Sequence, residues 1–383
     1  MPQLKPRTEV NLLMMPDYRR DNPYQSLLAD ALGKQSVQTR FPQGYRRGLP
    51  LRRAVGDQPE AVHILHLHWL SPYLKGRNAF KYAVYAVKLF ADLALVRLCG
   101  VRVVWTIHNA MPHEAKYPAI ERWLRRRVAH LADANIVHSA AALREVESEL
   151  AVDSNKAVII PHGHYRDVYG PAIDRAAALR QLDISPEGRI ALYFGTLRPY
   201  KGLETLLTVW RDVAATVRPS KLVIAGSPFS DEYGRQITEL AKACGDSVLL
   251  RLEKIPDREV PAFFSAADVV VLPFRKILTS GSMLLAMSYD KPVIAPRLPN
   301  VVETLGGADD LLYSVDDPRA LGQQIVNALT RDLSDLSTRV RRRCDQLGWD
   351  AIGQQTAELC RAVLNRQPLN NLTCSAQASV LLG

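Results

Sequence analysis

The chain has 383 residues, 47% hydrophobic and 23% charged, a balance that suits two or three soluble domains with full cores. Its formal net charge of +10 and pI of about 9.4 favour an anionic partner: nucleic acid, an anionic membrane face or a phosphorylated substrate. The five cysteines are widely spaced with no C-x-x-C pair, which argues against a zinc site or disulfide framework and for a reducing cytosol; no apolar run reaches membrane-spanning length, and "MPQLKPRTEV" lacks a signal-peptide core.

Taken in chain order, short β-branched runs alternate with helical stretches. Strands are expected at 9–15, 36–41, 62–69, 101–108 and 134–139, with helices at about 23–33, 77–98, 116–131 and 140–150. In the stretch 77–100, Arg77, Lys81, Lys88 and Asp92 share one face at 100° per residue, which makes an amphipathic helix. Such a helix either packs on its own sheet or lies on an anionic lipid surface. A boundary is expected near "PHGHYRDVYGP", 161–171, where no helical period exists. The second part brings strands at 157–161, 189–195, 221–226, 247–252, 268–274 and 291–296, with helices between them. Two such sets predict two α/β domains, each a parallel sheet with helices on both faces.

The expected domains are 1–163 and 164–345, followed by a helix over 346–366 and a loose tail over 367–383. The sequon at Asn371 in that tail reads as accidental.

The chemistry-bearing stretches sit at strand ends. In "FGTLRPYKGLETLL", 194–207, a buried strand runs into Gly195, Arg198 and Lys201, and Leu203, Leu206, Leu207 and Trp210 follow at helical spacing. Two cations beside a helix N-terminus oppose its dipole, so an anion belongs there. In open parallel sheets ligands bind at that edge, where Arg forks around phosphate and Lys supplies a point charge. The alternative is a solvated turn with two surface cations. In "LPFRKILTSGSMLLAM", 272–287, a strand ends in Arg275 and Lys276, and Thr279, Ser280, Gly281 and Ser282 open a helix. That turn offers free N–H groups to a phosphate, or it is plain N-capping. Two such strand ends in one domain suit a diphosphate. Neither G-x-x-x-x-G-K-[ST] nor G-x-G-x-x-G occurs.

In the first domain "HILHLHW" carries His63, His66 and His68, and "WTIHNAMPHE" carries His108, Asn109, His113 and Glu114. His and Glu are the usual proton-transfer residues, though an ordinary hydrogen-bonded role competes for each histidine, and no metal-ligand spacing appears. The basic runs 122–127 and 338–344 lack any zinc-finger, RRM or helix-turn-helix pattern and read as solvated helix faces rather than a nucleic-acid surface.

Together "NPY" (22–24), "HLHW" (66–69), "TIHNAMPHE" (106–114), "HGHYRD" (162–167), "FGTLRPYKG" (194–202) and "SGSMLLAMSYDKPVIAP" (280–296) resemble a GT-B glycosyltransferase, specifically family 94 of xanthan-type assembly and more distantly family 4. The resemblance implies two Rossmann-like doubly wound domains, with a C-terminal helix crossing back to the first and Trp349 as its anchor; a helix capping the second domain is the alternative. It implies GDP-mannose as donor, bound by Gly195, Arg198, Lys201, Lys276, Ser280, Gly281 and Ser282. No metal or other cofactor is implied, because the cations are side chains. The implied acceptor is a lipid-diphosphate-linked glycan of exopolysaccharide biosynthesis, met by Tyr24, His68 and Trp69 at the inner face of the plasma membrane. Inversion to a β-linkage calls for a base, with Glu114 favoured over His108 and Asp17. Retaining family 4 enzymes carry two glutamates around the second loop, where this chain has Ile277 and Leu285. That departure favours family 94; a retaining enzyme using a UDP-glucose type of donor is the alternative.

Overall fold

A computed structural model describes residues 9–369 apart from 43, 45–47, 113 and 318, so His113 and Asn371 lie outside the described residues. The chain divides into two compact units, Met1–Gly163 with Gly348–Gly383, and His164–Leu347.

The first unit is built on strands β1 (Val10–Met15), β2 (Val37–Arg40), β3 (Ile64–Leu67), β4 (Arg102–Thr106), β5 (Ala134–Val137) and β6 (Ala157–Ile159). They form one parallel sheet in the order β2-β1-β3-β4-β5-β6. The register sets Leu12 beside Ile64 and His66 beside Val104. Its central strands are apolar on both faces because helices cover both. Those helices are α1 (Tyr24–Gly33), α2 (Pro50–Gly56), α3 (Ala79–Leu98), α4 (Pro118–Leu131) and α5 (Ala140–Leu150). Asn78 and Ser139 cap α3 and α5, accepting from Lys81 N at 2.9 Å and Ala142 N at 2.9 Å.

Two expectations need correction here. The run at 157–161 belongs to the first sheet, not the second: β6 pairs with β5 through Ile136 and Val158. Asp92 does not share the solvent face of α3 with Lys81 and Lys88. It is fully buried, and its carboxylate caps α2 by accepting from Leu51 N at 2.7 Å and Arg52 N at 2.9 Å. Helical spacing alone could not show this, because α2 has no capping side chain of its own.

The second unit holds β7 (Arg189–Phe194), β8 (Ser220–Ala225), β9 (Val248–Arg251), β10 (Val269–Val271), β11 (Val293–Pro296) and β12 (Leu312–Tyr313). They are parallel and ordered β12-β11-β10-β7-β8-β9. Around them run α6 (Arg175–Gln181), α7 (Leu203–Thr216), α8 (Asp231–Lys242), α9 (Val260–Ala266), α10 (Gly281–Ser288), α11 (Pro299–Leu305), α12 (Ala320–Thr330) and α13 (Ser334–Asp345). The two-residue β12 and the short α2 carry too little periodicity to be found from sequence.

The last helix, α14 (Trp349–Leu364), returns to the first unit and packs along α1. Its Ile352, Ala357, Leu359, Cys360 and Val363 join the core of Leu12, Met14, Leu28 and Ile64. The approach is close: a Cβ on Gly353 would stand 2.6 Å from Ala31 Cβ. A Cβ on Gly163 would fall 2.3 Å from the Trp349 ring, so Trp349 is the anchor where the chain leaves and re-enters this unit.

Candidate active site

In the second sheet the strand order reverses between β7 and β10, and an open parallel sheet places its ligand crevice at such a point. Gly195 follows β7 directly, with φ of +128°, a conformation that favours glycine. A Cβ there would stand 2.5 Å from Ser282 Oγ and 3.4 Å from Lys201 Nζ. The β7 turn, the β10 turn and a lysine head therefore meet around one bare backbone segment. Gly202 closes the first turn for a second reason: its φ is +71° and its Cβ would lie 2.1 Å from Pro273 O. Arg275 N donates to Tyr200 O at 2.9 Å and ties the two turns together.

Lys201 has no carboxylate partner among the described residues. Burial, and then the neighbouring positive charge of Arg198, pull its pKa down to about 8. An ammonium held this way gains most from an incoming anion.

Across the site, Ser280 Oγ caps α10 by accepting from Met283 N at 3.1 Å. The first-turn N–H groups of Gly281 and Ser282 have no acceptor within the helix and meet its positive dipole end. Thr279 Oγ1 is buried without a hydrogen-bond partner, an orphaned hydroxyl beside the same turn. Ser280 thus does cap, and the turn still keeps donors for a phosphate. Lys276 and Arg275 are exposed on the β10 loop. Ile277 and Leu285 are buried apolar side chains, so no carboxylate grips a ribose from either position. Sequence reasoning named Thr279 only as part of the turn, not for its own hydroxyl, and missed Tyr165, whose hydroxyl lies 3.5 Å from the Cβ position of Gly281.

In the first unit the carboxyl ends of consecutive strands deliver His68 after β3, His108 after β4, His138 after β5 and His162 after β6. All four are buried, and His66 lies beneath them with Nε2 2.8 Å from Thr106 Oγ1. His68 Nδ1 meets His108 Nε2 at 3.1 Å, which leaves Nδ1 of His108 for a ligand. Nδ1 of His138 and of His162 donates to Ile160 O at 2.9 Å and Gly163 O at 2.8 Å. Trp69 stacks on His108 with ring centroids 4.5 Å apart, and Tyr24 presents its edge to His108 at 5.0 Å and to His68 at 5.6 Å. Tyr24 also meets Trp349 at 5.4 Å. The structure thus gathers Tyr24, His68, Trp69 and His108 in one place.

Burial depresses every basicity here. It takes His138 to about 4 and His66 and His162 to about 3, and with the neighbouring imidazoles it leaves His68 and His108 well below the ordinary value. At neutral pH the cluster is uncharged and can exchange hydrogen bonds with sugar hydroxyls. Among the described residues no group of three or more His, Cys, Asp or Glu is placed to hold a metal ion. His63 is apart from the cluster, at the amino end of β3, accepting from Asn11 N at 3.0 Å.

Asp17 follows β1, at the strand-order reversal of this sheet. Its carboxylate is clasped by Arg19, whose Nε and Nη2 donate at 3.0 Å and 2.9 Å, and that hydrogen bonding holds its pKa below the usual carboxylate range. Glu114 is exposed on the loop between β4 and α4 that also carries His108. Arg125 fixes that loop from beneath: its Nη1 donates to Asn109 O at 3.1 Å while its Nε pairs with buried Glu121 at 3.1 Å. His138 and His162 were not singled out from sequence, although each follows a buried strand as His108 does.

Two sequence-family models cover most of the chain: that described as "Glycosyltransferase Family 4" matches residues 14–168, and "Glycosyl transferases group 1" matches residues 188–331. The chain is 33% identical over 342 residues to the GDP-mannose:glycolipid 4-beta-D-mannosyltransferase of Xanthomonas campestris pv. campestris, covering 87% of this chain and 86% of that protein. Among solved structures it resembles a sucrose-phosphate synthase from Thermosynechococcus elongatus, with a TM-score of 0.71, 18% identity, and coverage of 94% and 100% of the two chains. It also resembles the Anabaena protein Alr3699/HepE in complex with UDP-glucose, with a TM-score of 0.68, 14% identity, and coverage of 92% and 99%.

Proposed function

The chain belongs to the family of GT-B glycosyltransferases that includes the Xanthomonas 4-beta-D-mannosyltransferases, and from that premise we propose that it moves mannose from GDP-mannose onto a lipid-diphosphate-linked glycan, with inversion to a β-linkage, at the cytoplasmic face of the membrane during exopolysaccharide assembly. The observation that carries the donor half of this reading is the convergence of Gly195, Lys201 and Ser282 at the strand-order reversal of the second sheet.

The chemistry follows from the groups present. The diphosphate leaving group gains negative charge as the bond to the anomeric carbon lengthens. Lys201 beside Gly195 and the N–H groups of Gly281 and Ser282 are the groups we assign to receive it, with Arg198 and exposed Lys276 as further cations on the same two turns. These side chains supply the countercharge, so the reading assigns no step to a metal. Ile277 and Leu285 favour the inverting family over the retaining one, whose acids would stand there.

In an inverting transfer a base takes the proton of the acceptor hydroxyl as it attacks. Glu114 is the group we assign. Asp17 is clasped by Arg19, whose hydrogen bonds hold its pKa below the usual carboxylate range. His108, neutral, offers Nδ1 to a sugar hydroxyl, and Tyr24, His68 and Trp69 shape an aromatic wall suited to a pyranose face.

A thermal-shift panel of nucleoside diphosphates tests the donor. GDP raising Tm while UDP and ADP do not supports the reading; a ligand at a hundred times its Kd contributes about 2.7 kcal/mol. Stabilisation by UDP alone favours the UDP-sugar alternative. NMR of the product decides stereochemistry: an α-linkage from the α-linked donor overturns inversion.

A further inference from the structure

Helix α3 is apolar on two opposite sides. Tyr82, Ala86, Leu89, Leu93 and Val96 are buried against the unit. On the far side Phe80 is 78% exposed, Val87 54%, Leu95 39% and Leu98 83%. At 100° per residue these four, with Ala91, fall within an arc of about 80°, a stripe about 27 Å long from Phe80 to Leu98. Lys81 and Lys88 flank the stripe on one side, and both are exposed. No folding requirement explains this second apolar face, and a soluble monomer rarely keeps so long a stripe uncovered.

The exposed charges carried by α3 and α4 themselves have one sign. The acids of α3 and α4 are Asp92 and Glu121, and both are buried. Exposed Arg122, Arg126 and Arg127 extend the cations along α4. With Trp123, His130 and Leu150 they line an open hollow of about 470 Å³. Glu149 meets this cluster: its carboxylate lies 3.5 Å from Arg122 and its carbonyl accepts from Arg126 Nε at 3.2 Å. Trp123 joins the hollow to the stripe through Phe90 of α3, ring centroids 6.1 Å apart.

We infer that the exposed face of α3 lies in the interface of an anionic phospholipid bilayer, with Phe80, Val87, Leu95 and Leu98 among the acyl chains and with the α4 hollow receiving lipid phosphate. A long apolar stripe bordered by lysines is the pattern of a helix lying in that interface. Basic side chains add attraction that falls off within a Debye length. Among the described residues no helix is long and apolar enough to cross a membrane, so contact by this face would be from one side. The inference deepens the proposed acceptor, which is lipid-anchored, by naming the surface that meets the lipid.

Co-sedimentation tests it, using phosphatidylcholine vesicles with and without phosphatidylglycerol. The full chain is expected to pellet with the anionic vesicles, and less so at high salt. Replacing Phe80→Ser, Val87→Ser and Leu98→Ser together should lower partitioning at least about tenfold. Lys81→Glu, Lys88→Glu and Arg127→Glu together should remove the preference for anionic lipid. Both variants should keep the wild-type circular dichroism spectrum and cooperative melting transition, which report that the first unit folds. Equal pelleting by all three proteins overturns the assignment, as does retention on heparin or RNA with none on vesicles. Transfer to a detergent-dispersed acceptor separates the two readings. Transfer that persists without vesicle binding removes only the docking face; vesicle binding without transfer removes only the proposed reaction.

Discussion

Gly195 and Ser282 approach so closely that a methyl group on the glycine would stand 2.5 Å from the serine hydroxyl oxygen. The two residues come from different turns, one after β7 and one opening α10, and in the proposed donor site their contact is the floor under the diphosphate. Gly195→Ala adds that clash to a φ of +128° that alanine adopts only under strain, about 1–3 kcal/mol. GDP affinity is expected to fall at least tenfold, since the floor is displaced. Titration calorimetry of GDP measures it, with circular dichroism confirming the fold; unchanged affinity removes Gly195 from the donor site.

Lys201 gives the donor site a pH dependence with a definite sign. Its pKa of about 8 means the ammonium is mostly charged at pH 7 and mostly neutral at pH 9. If only the charged form binds, GDP affinity drops about tenfold across that range. Binding also takes up protons near pH 8, because the diphosphate restores the charge. Calorimetry in buffers of different ionisation enthalpy reads this uptake, and Lys201→Met should abolish it. A flat profile in the wild type contradicts the assignment.

The histidine cluster sets an acid limit on stability. The unfolded imidazoles titrate near 6.5 and the folded ones near 3 to 4, so below 6.5 the unfolded state binds more protons. Stability is therefore fully present above about pH 6.5 and is lost as pH falls toward the folded pKa. His138, at about 4, accounts for a loss on the order of 2 kcal/mol between pH 7 and pH 5. His138→Asn keeps a donor for Ile160 O and removes the titration, so its melting temperature should fall less over that interval. An unaltered pH slope would show that His138 is not buried in the neutral form.

Arg125 is a positioning residue for the loop that carries His108 and Glu114. Arg125→Met leaves Glu121 as a buried uncompensated charge and should cost about 3–5 kcal/mol. Arg125→Met with Glu121→Gln removes that charge problem yet still leaves Asn109 O without its donor. In the double variant kcat should fall while GDP affinity stays at the wild-type value, because the donor groups lie in the other unit. A loss of GDP affinity equal to the loss in kcat would assign Arg125 a purely structural role.

Much of this was legible in the sequence because strand ends have a strong signature. "ALYFG" followed by Arg198, Pro199 and Lys201 told of a buried strand, a turn and two cations. Leu203, Leu206, Leu207 and Trp210 told which side of α7 faces inward, and all four are buried. The glycosyltransferase resemblance rested on motifs spread along the chain, and the fold agrees with it. Asp17 reads as a free acid until its near neighbour Arg19 is seen to clasp it. The rest of what stayed hidden depends on pairing across long sequence separation. Asp92 reads as a surface charge until α2 is laid against it. His138 and His162 gain meaning only when β5 and β6 are set beside β4, and β6 itself was assigned to the wrong sheet because a three-residue strand carries no mark of its partner.

The central claim is that a nucleoside diphosphate is held in the second unit by charge that the protein itself provides. Calorimetric titration of GDP into the wild type and Lys201→Ala, each with and without a chelator of divalent ions, tests it most directly. The account predicts identical wild-type affinity in both conditions and a loss of at least about thirtyfold in Lys201→Ala. GDP binding that vanishes with the chelator, or that is indifferent to Lys201→Ala, would contradict it.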